Sequence, residues 1–105
     1  MKVRIKENSW VAKLAAAKMK ANRVAIVFGK TIHLHNITRT EFLQDSDLVC
    51  HELKHVEQYR QNGYAGFLLK YMVEWVKNGY YKNRFEIEAR HNEKNILLMR
   101  EVEFI

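Results

Sequence analysis

Two histidines four residues apart, His51 and His55, occur in the stretch DLVCHELKHVEQYRQNG, with Glu52 directly after the first. On a helix, residues at i and i+4 project from neighbouring turns of one side. Two imidazoles so placed can converge on one ion without bending the backbone, and zinc takes about four nitrogen, sulfur or oxygen donors in a tetrahedron. Glu52 follows about 100° further round the helix. It is too far round to crowd the same coordination position, but it can reach water on the ion and take its proton. The pattern therefore points to metal-assisted hydrolysis, with His51 and His55 as ligands and Glu52 as general base.

The helix that carries these groups predicts their surroundings. Leu48, Glu52, His55, Val56 and Tyr59 fall on one arc, extended by Val49 and Leu53, while Cys50, Lys54, Glu57 and Gln61 fall on the opposite one. A carboxylate on an apolar arc costs several kcal/mol unless it is paired or lies near a metal, so the site is expected on an inner wall. A third protein ligand must come from a later element, and FEIEAR offers it. Glu86 shares a side with Ala89, Glu93, Ile96 and Leu97, and the small Ala89 lets two helices approach. Glu88 shares a wetter side with Asn92 and Asn95, and it and His91 are the lesser candidates. Cys50 points away from the ligand pair on the wheel and reads as an inert flanking thiol.

The supporting elements follow from punctuation and periodicity. Ser9 can cap a first helix, about Ser9–Lys20, with Trp10, Leu14 and Met19 near helical spacing. A β-branched run broken at Gly29-Lys30 predicts a hairpin of Val24–Phe28 and Thr31–His35. TRTEFLQDSD is a connection with a short helical turn. Asp45 or Ser46 can cap the HExxH helix, and Asn62-Gly63 stops it. YAGFLLKYMVEWVKNG is a third helix ending at Asn78-Gly79, with a wide apolar arc from Phe67 to Val76. A fourth is expected over about Asn83–Arg100, and EVEFI is a strand or a frayed end. The two histidines of HLH, His33 and His35, share one strand face and are candidates for the lining of a substrate groove. Tyr71, Tyr80 and Tyr81 are candidates to steady an oxyanion, though such tyrosines more commonly pack.

Composition bounds the rest. The chain has 105 residues, a net charge of +6, no proline, four glycines and one cysteine, which suits a single globular domain over residues 1–105 without an internal disulfide. Basic residues are spread rather than clustered, so no nucleic-acid partner is expected. No signal peptide or transmembrane segment is read, and a cytoplasmic protein is expected. A protein partner over residues 64–78 is a secondary expectation, because a short domain leaves part of that apolar arc uncovered.

HELKH followed by Gln58, with FEIEA some thirty residues on, resembles the gluzincin group of zinc metallopeptidases. It is more closely similar to small bacterial zincin-like domains in which a G-x-x-I hairpin precedes an HELxHVxQ helix. Here that hairpin is FGKTIHLHN, with Gly29 and Ile32, and the resemblance covers roughly Val24–Arg90. It implies a minimal zincin-like α+β domain of about four helices and a small hairpin sheet. It also implies Zn2+ held by His51, His55 and Glu86, a peptide or protein substrate, and Glu52 as general base. Thr31–His35 would be the edge strand along which an extended peptide pairs. Arg90 stands where such enzymes often carry an acid that orients a ligand histidine, which leaves a carbonyl or Asp47 to hold that imidazole N–H.

Overall fold

The computed structural model describes all residues, Met1–Ile105. Their order is β1 (Lys2–Lys6), α1 (Trp10–Met19), β2 (Val24–Phe28), β3 (Thr31–His35), α2 (Arg39–Gln44), α3 (Ser46–Asn62), α4 (Tyr64–Asn78), α5 (Arg84–His91), a 3-10 turn at Ile96–Met99, and β4 (Glu103–Phe104). The chain is α+β, as expected, with five helices and a four-stranded mixed sheet in the order β2-β3-β1-β4.

The hairpin forms where Gly29 allows it. Gly29 has φ +64, and the Tyr64 ring lies 3.2 Å from where a Cβ would stand, so a side chain would be strained both by the backbone and by that ring. Strand β1 was not anticipated. In KVRIK, Val3 and Ile5 are buried while Lys2, Arg4 and Lys6 are exposed. β1 runs parallel to β3 on one side and to β4 on the other. β3 is therefore an interior strand, which corrects the expectation that Thr31–His35 is the edge. The free edge beside the hairpin is β2.

Helix α1 is capped by Ser9, whose Oγ accepts from the Ala12 N–H, and it ends at Lys20 in the left-handed region. Its buried residues are Ala12 and Ala16, whereas Trp10, Leu14 and Met19 are exposed. The large apolar residues thus face outward. Small side chains let the helix lie close to the sheet, and a helix apolar on both faces does not show by spacing which face is inner. The last expected helix is also shorter. α5 stops at His91, Asn92 accepts the role of C-cap, and the chain folds back into the 3-10 turn. That turn covers Cys50, which is fully buried with its thiol donating to the Asn95 carbonyl at 3.5 Å, and not on an open flank.

The core joins sheet and helices through Val3, Ile32, Leu34, Phe42, Val49, Val56 and Phe67. Phe42 is completely buried and meets Phe104 edge-on. Phe42→Ala is expected to cost about 3–5 kcal/mol, measured by urea unfolding; a loss under about 1 kcal/mol would mean that α2 does not help to close the core.

Candidate metal centre

Helix α3 starts where Asp45 accepts from the Leu48 N–H at 3.1 Å. From there its inner arc carries Glu52, His55, Val56 and Tyr59 into the interior, with His51 at the border. Helix α5 is set against it by Asn83, which is fully buried. The Asn83 side chain caps the Phe85 N–H at 2.9 Å and donates to the Tyr71 carbonyl of α4 at 3.2 Å. One turn on, Glu86 projects toward α3, and Ala89 is fully buried as the expected close approach requires.

The ligand atoms of His51, His55 and Glu86 all lie within 4.8 Å of one another, close enough to bind a metal ion. Glu86 Oε1 lies 3.0 Å from His51 Nε2 and 3.1 Å from His55 Nε2. Its other oxygen, Oε2, accepts from the Tyr71 hydroxyl at 2.6 Å. Glu88 does not join them: it is exposed and accepts from Gln58 Nε2 at 2.8 Å. His91 is exposed as well.

The outer nitrogens of the two imidazoles test whether this cluster fits a cation. Gln58 uses both amide hydrogens, on the Phe85 carbonyl at 3.1 Å and on Glu88 at 2.8 Å. Its Oε1 therefore faces His55 Nδ1, 2.8 Å away, as an acceptor. His51 Nδ1 meets Glu93 Oε2 at 2.8 Å, and a carboxylate also only accepts. Both Nδ1 atoms thus carry hydrogen, and each neutral imidazole turns a bare Nε2 toward Glu86 Oε1. Three acceptors converging in this way are stable only with positive charge among them, either as protons on the imidazoles or as a metal ion. The donor set, its tautomers and its outer partners fit a divalent cation.

Charge in the metal-free cluster follows the same geometry. Burial works against the His51 cation, but hydrogen bonds to Glu86 and Glu93 and the charge of Glu52 outweigh it and push His51 up to about 9. For Glu86, burial opposes the charged form, yet the bonds from His51, His55 and Tyr71 hold it well below the usual carboxylate range. Glu52 is 4% exposed, borders a mainly apolar groove of about 290 Å³ that opens between α1 and α4 beside the cluster, and hydrogen-bonds to no protein group. Burial raises it, the neighbouring histidines pull it back only partly, and it settles at about 7. A carboxyl poised there suits proton transfer near neutral pH.

Other candidates fall in different places. Asp47 pairs with Lys94 at 2.7 Å and holds no histidine. Glu93 and Gln58 orient the imidazoles instead, and Arg90 stacks over Tyr81 at 4.0 Å. Tyr71 is bound to Glu86, Tyr80 borders the groove, and Tyr81 is exposed. His33 is not in the groove lining; its Nδ1 lies 2.7 Å from Ser9 Oγ. No helix is long and apolar enough to cross a membrane.

Among known families, the eCIS core domain matches residues 1–63. The chain belongs to this family. The eCIS core match takes in β1 through α3, and so His51, Glu52 and His55, but it ends before α4 and α5, which carry Tyr71 and Glu86. No curated protein and no solved structure matches the chain.

Glu93 has a testable part in this eCIS core chain. Glu93→Ala frees the His51 ring, and is expected to weaken divalent-metal affinity about 10- to 100-fold. Glu93→Gln keeps an acceptor and should lose less. Titration against a chelator of known affinity checks the order, and equal affinity in all three proteins would remove Glu93 from the centre.

Proposed function

We propose that this chain is a zinc-binding, zincin-like module of a larger protein assembly, and that its centre hydrolyses peptide bonds. The observation that carries this reading is the orientation of both imidazoles by Gln58 and Glu93, so that the two Nε2 atoms and Glu86 Oε1 face one another. Two imidazoles and one carboxylate are a common zinc set. Zinc held there would activate a water molecule and polarise a carbonyl. Glu52, free of protein partners at the groove wall, would accept the proton of that water on its carboxylate and return it to the leaving amine. Tyr71 would keep Glu86 oriented through Oε2.

A second reading is favoured by the family membership. The eCIS core name refers to extracellular contractile injection systems, and so to an assembly rather than a reaction. In that reading the ion is a staple between α3 and α5, and the protein acts through contacts such as those of the exposed Leu69, Val73 and Val76 on α4. Elemental analysis of the purified protein, joined to a denatured-casein assay with and without added zinc, tests both. About one zinc per chain with chelator-sensitive cleavage supports hydrolysis. Zinc without cleavage supports the staple. No bound divalent metal in zinc-supplemented protein overturns both.

A further inference from the structure

The apolar residues that α1 and α4 leave in solvent are grouped into stripes. On α4, Met72, Val76, Leu69 and Val73 follow one another within about 100° of the helix surface. Val76 is 84% exposed and Leu69 68%. On α1, Trp10, at 67%, and Leu14 stand one turn apart on the outer side. Leu14 and Met72 both border the groove, so the two stripes meet across its mouth. Single exposed apolar residues are ordinary, but a continuous patch of this kind marks a surface that something covers.

The charges around the patch say what kind of cover fits. Lys13 and Lys18 flank the stripe on α1, and Lys70 and Lys77 lie beyond Val73 on α4, all four exposed. The lysine ion pairs of the chain are Lys54–Glu57 and Lys94–Asp47, so these four carry unpaired charge. Lys70 reaches only the neutral Asn62 side chain, at 2.8 Å. Helix α1 contains no acid. The one acid of α4, Glu74, lies on the opposite side of its helix from the patch, where it pairs with the Arg84 side chain at 3.6 Å and accepts from the Arg84 N–H at 3.2 Å. The two tryptophans of the chain, Trp10 and Trp75, are both exposed on this face. Apolar stripes edged by lysine and carrying indoles are what a surface lying in the headgroup layer of an anionic bilayer requires.

We propose that the α1–α4 face docks on the surface of an anionic phospholipid membrane, with Trp10, Leu69 and Val76 entering the boundary between headgroups and acyl chains and the four lysines at the level of the phosphates. A second copy of the chain would set these lysines against their own images across a two-fold axis, with no free acid on the face to offset them. A protein partner would have to place carboxylates at fixed points opposite long flexible stems, whereas a fluid layer of phosphates meets the ammonium groups wherever they extend. Docking in this way requires neither zinc nor hydrolysis.

The full-length protein is mixed with vesicles of phosphatidylcholine alone, and with vesicles in which about a third of the lipid is phosphatidylserine, and binding is followed by co-sedimentation and tryptophan emission. Binding to the anionic vesicles is expected to be at least about tenfold tighter, with a blue shift as the indoles leave water, and to weaken as salt rises from about 0.1 to 0.5 M. Each cation near such a surface is worth about fivefold, so Lys70→Gln with Lys77→Gln should weaken binding about 10- to 30-fold. Leu69→Ser with Val76→Ser should weaken it about tenfold or more with every lysine kept. All four positions are exposed, so Tm should hold within about 3 °C. Lys2→Gln with Arg4→Gln removes two charges from β1, two strands away from the groove, and should change binding less than about threefold.

No binding, equal binding to neutral vesicles, or binding unmoved by Leu69→Ser with Val76→Ser overturns the proposal. An equal loss from the β1 pair and the α4 lysine pair does so as well, since it would reduce the effect to net charge. A free protein that is dimeric, and that Leu69→Ser with Val76→Ser makes monomeric, would give the face to a second copy. Failure on vesicles with saturable binding of an acidic amphipathic helical peptide, lost with the α4 lysine pair, would give it to a protein, and either result overturns membrane docking.

Discussion

Glu52→Gln is expected to bind zinc as the wild type does and to turn over peptide about 10²- to 10⁴-fold more slowly. Glutamine keeps the shape of the side chain but cannot take a proton from water at neutral pH. Because Glu52 makes no hydrogen bond to the protein, the change breaks no existing hydrogen bond. It also removes a carboxyl whose charged form burial disfavours, so Tm should hold or rise. Side-by-side metal content, Tm and casein cleavage separate the outcomes. Unchanged cleavage would strip Glu52 of its proton-transfer role. Loss of zinc would make it a ligand. Absence of cleavage in wild type and variant alike would leave the structural staple.

What the sequence reveals of this centre is what local geometry controls. His51, Glu52 and His55 lie within two turns of one helix, and their relative directions follow from helical pitch alone. Glu86 could be ranked above Glu88 because the wheel puts it with Ala89, and the structure indeed buries Glu86 and exposes Glu88. The hairpin was legible because Gly29 marks a turn between two β-branched runs.

What remained hidden depends on distant partners. β1 is only five residues long, and its neighbours are β3 and the far C-terminal β4. Nothing local says that a later hairpin will be covered by this strand, so local signals alone leave β3 as the edge. Glu93 is a clearer case. On a continuous helix it would stand about 10 Å along the axis from Glu86. The stop at His91 and the fold-back through Asn92 bring it to His51 Nδ1, while Glu86 faces Nε2 of the same ring. Asn92 and Asn95 are weak helix formers, and they carry the only local sign of that break. The outward turn of Leu14 and Met19 was illegible for a third reason: the alanines that replace them on the inner face are also apolar, so hydrophobicity did not rank the two sides.

His55→Ala is expected to abolish the response of stability to zinc. A ligand that binds only the folded state adds about 2.7 kcal/mol when free ligand is 100 times Kd. For a domain of this size that is a Tm rise of about 10 °C. His55 is buried, contributes Nε2 to the cluster and is fixed by Gln58. Alanine leaves two ligands, and the zinc-dependent rise should fall below about 2 °C. The metal-free variant will itself be weaker, because Glu86 loses one donor and Gln58 Oε1 its partner, at about 1–3 kcal/mol for each buried group left unsatisfied. For that reason the decisive quantity is the difference in Tm with and without zinc in each protein, measured by calorimetry with chelator controls. A His55→Ala protein that keeps the full zinc-dependent rise would place the ion elsewhere, and would leave His51, His55 and Glu86 as a hydrogen-bonded cluster that ties α3 to α5.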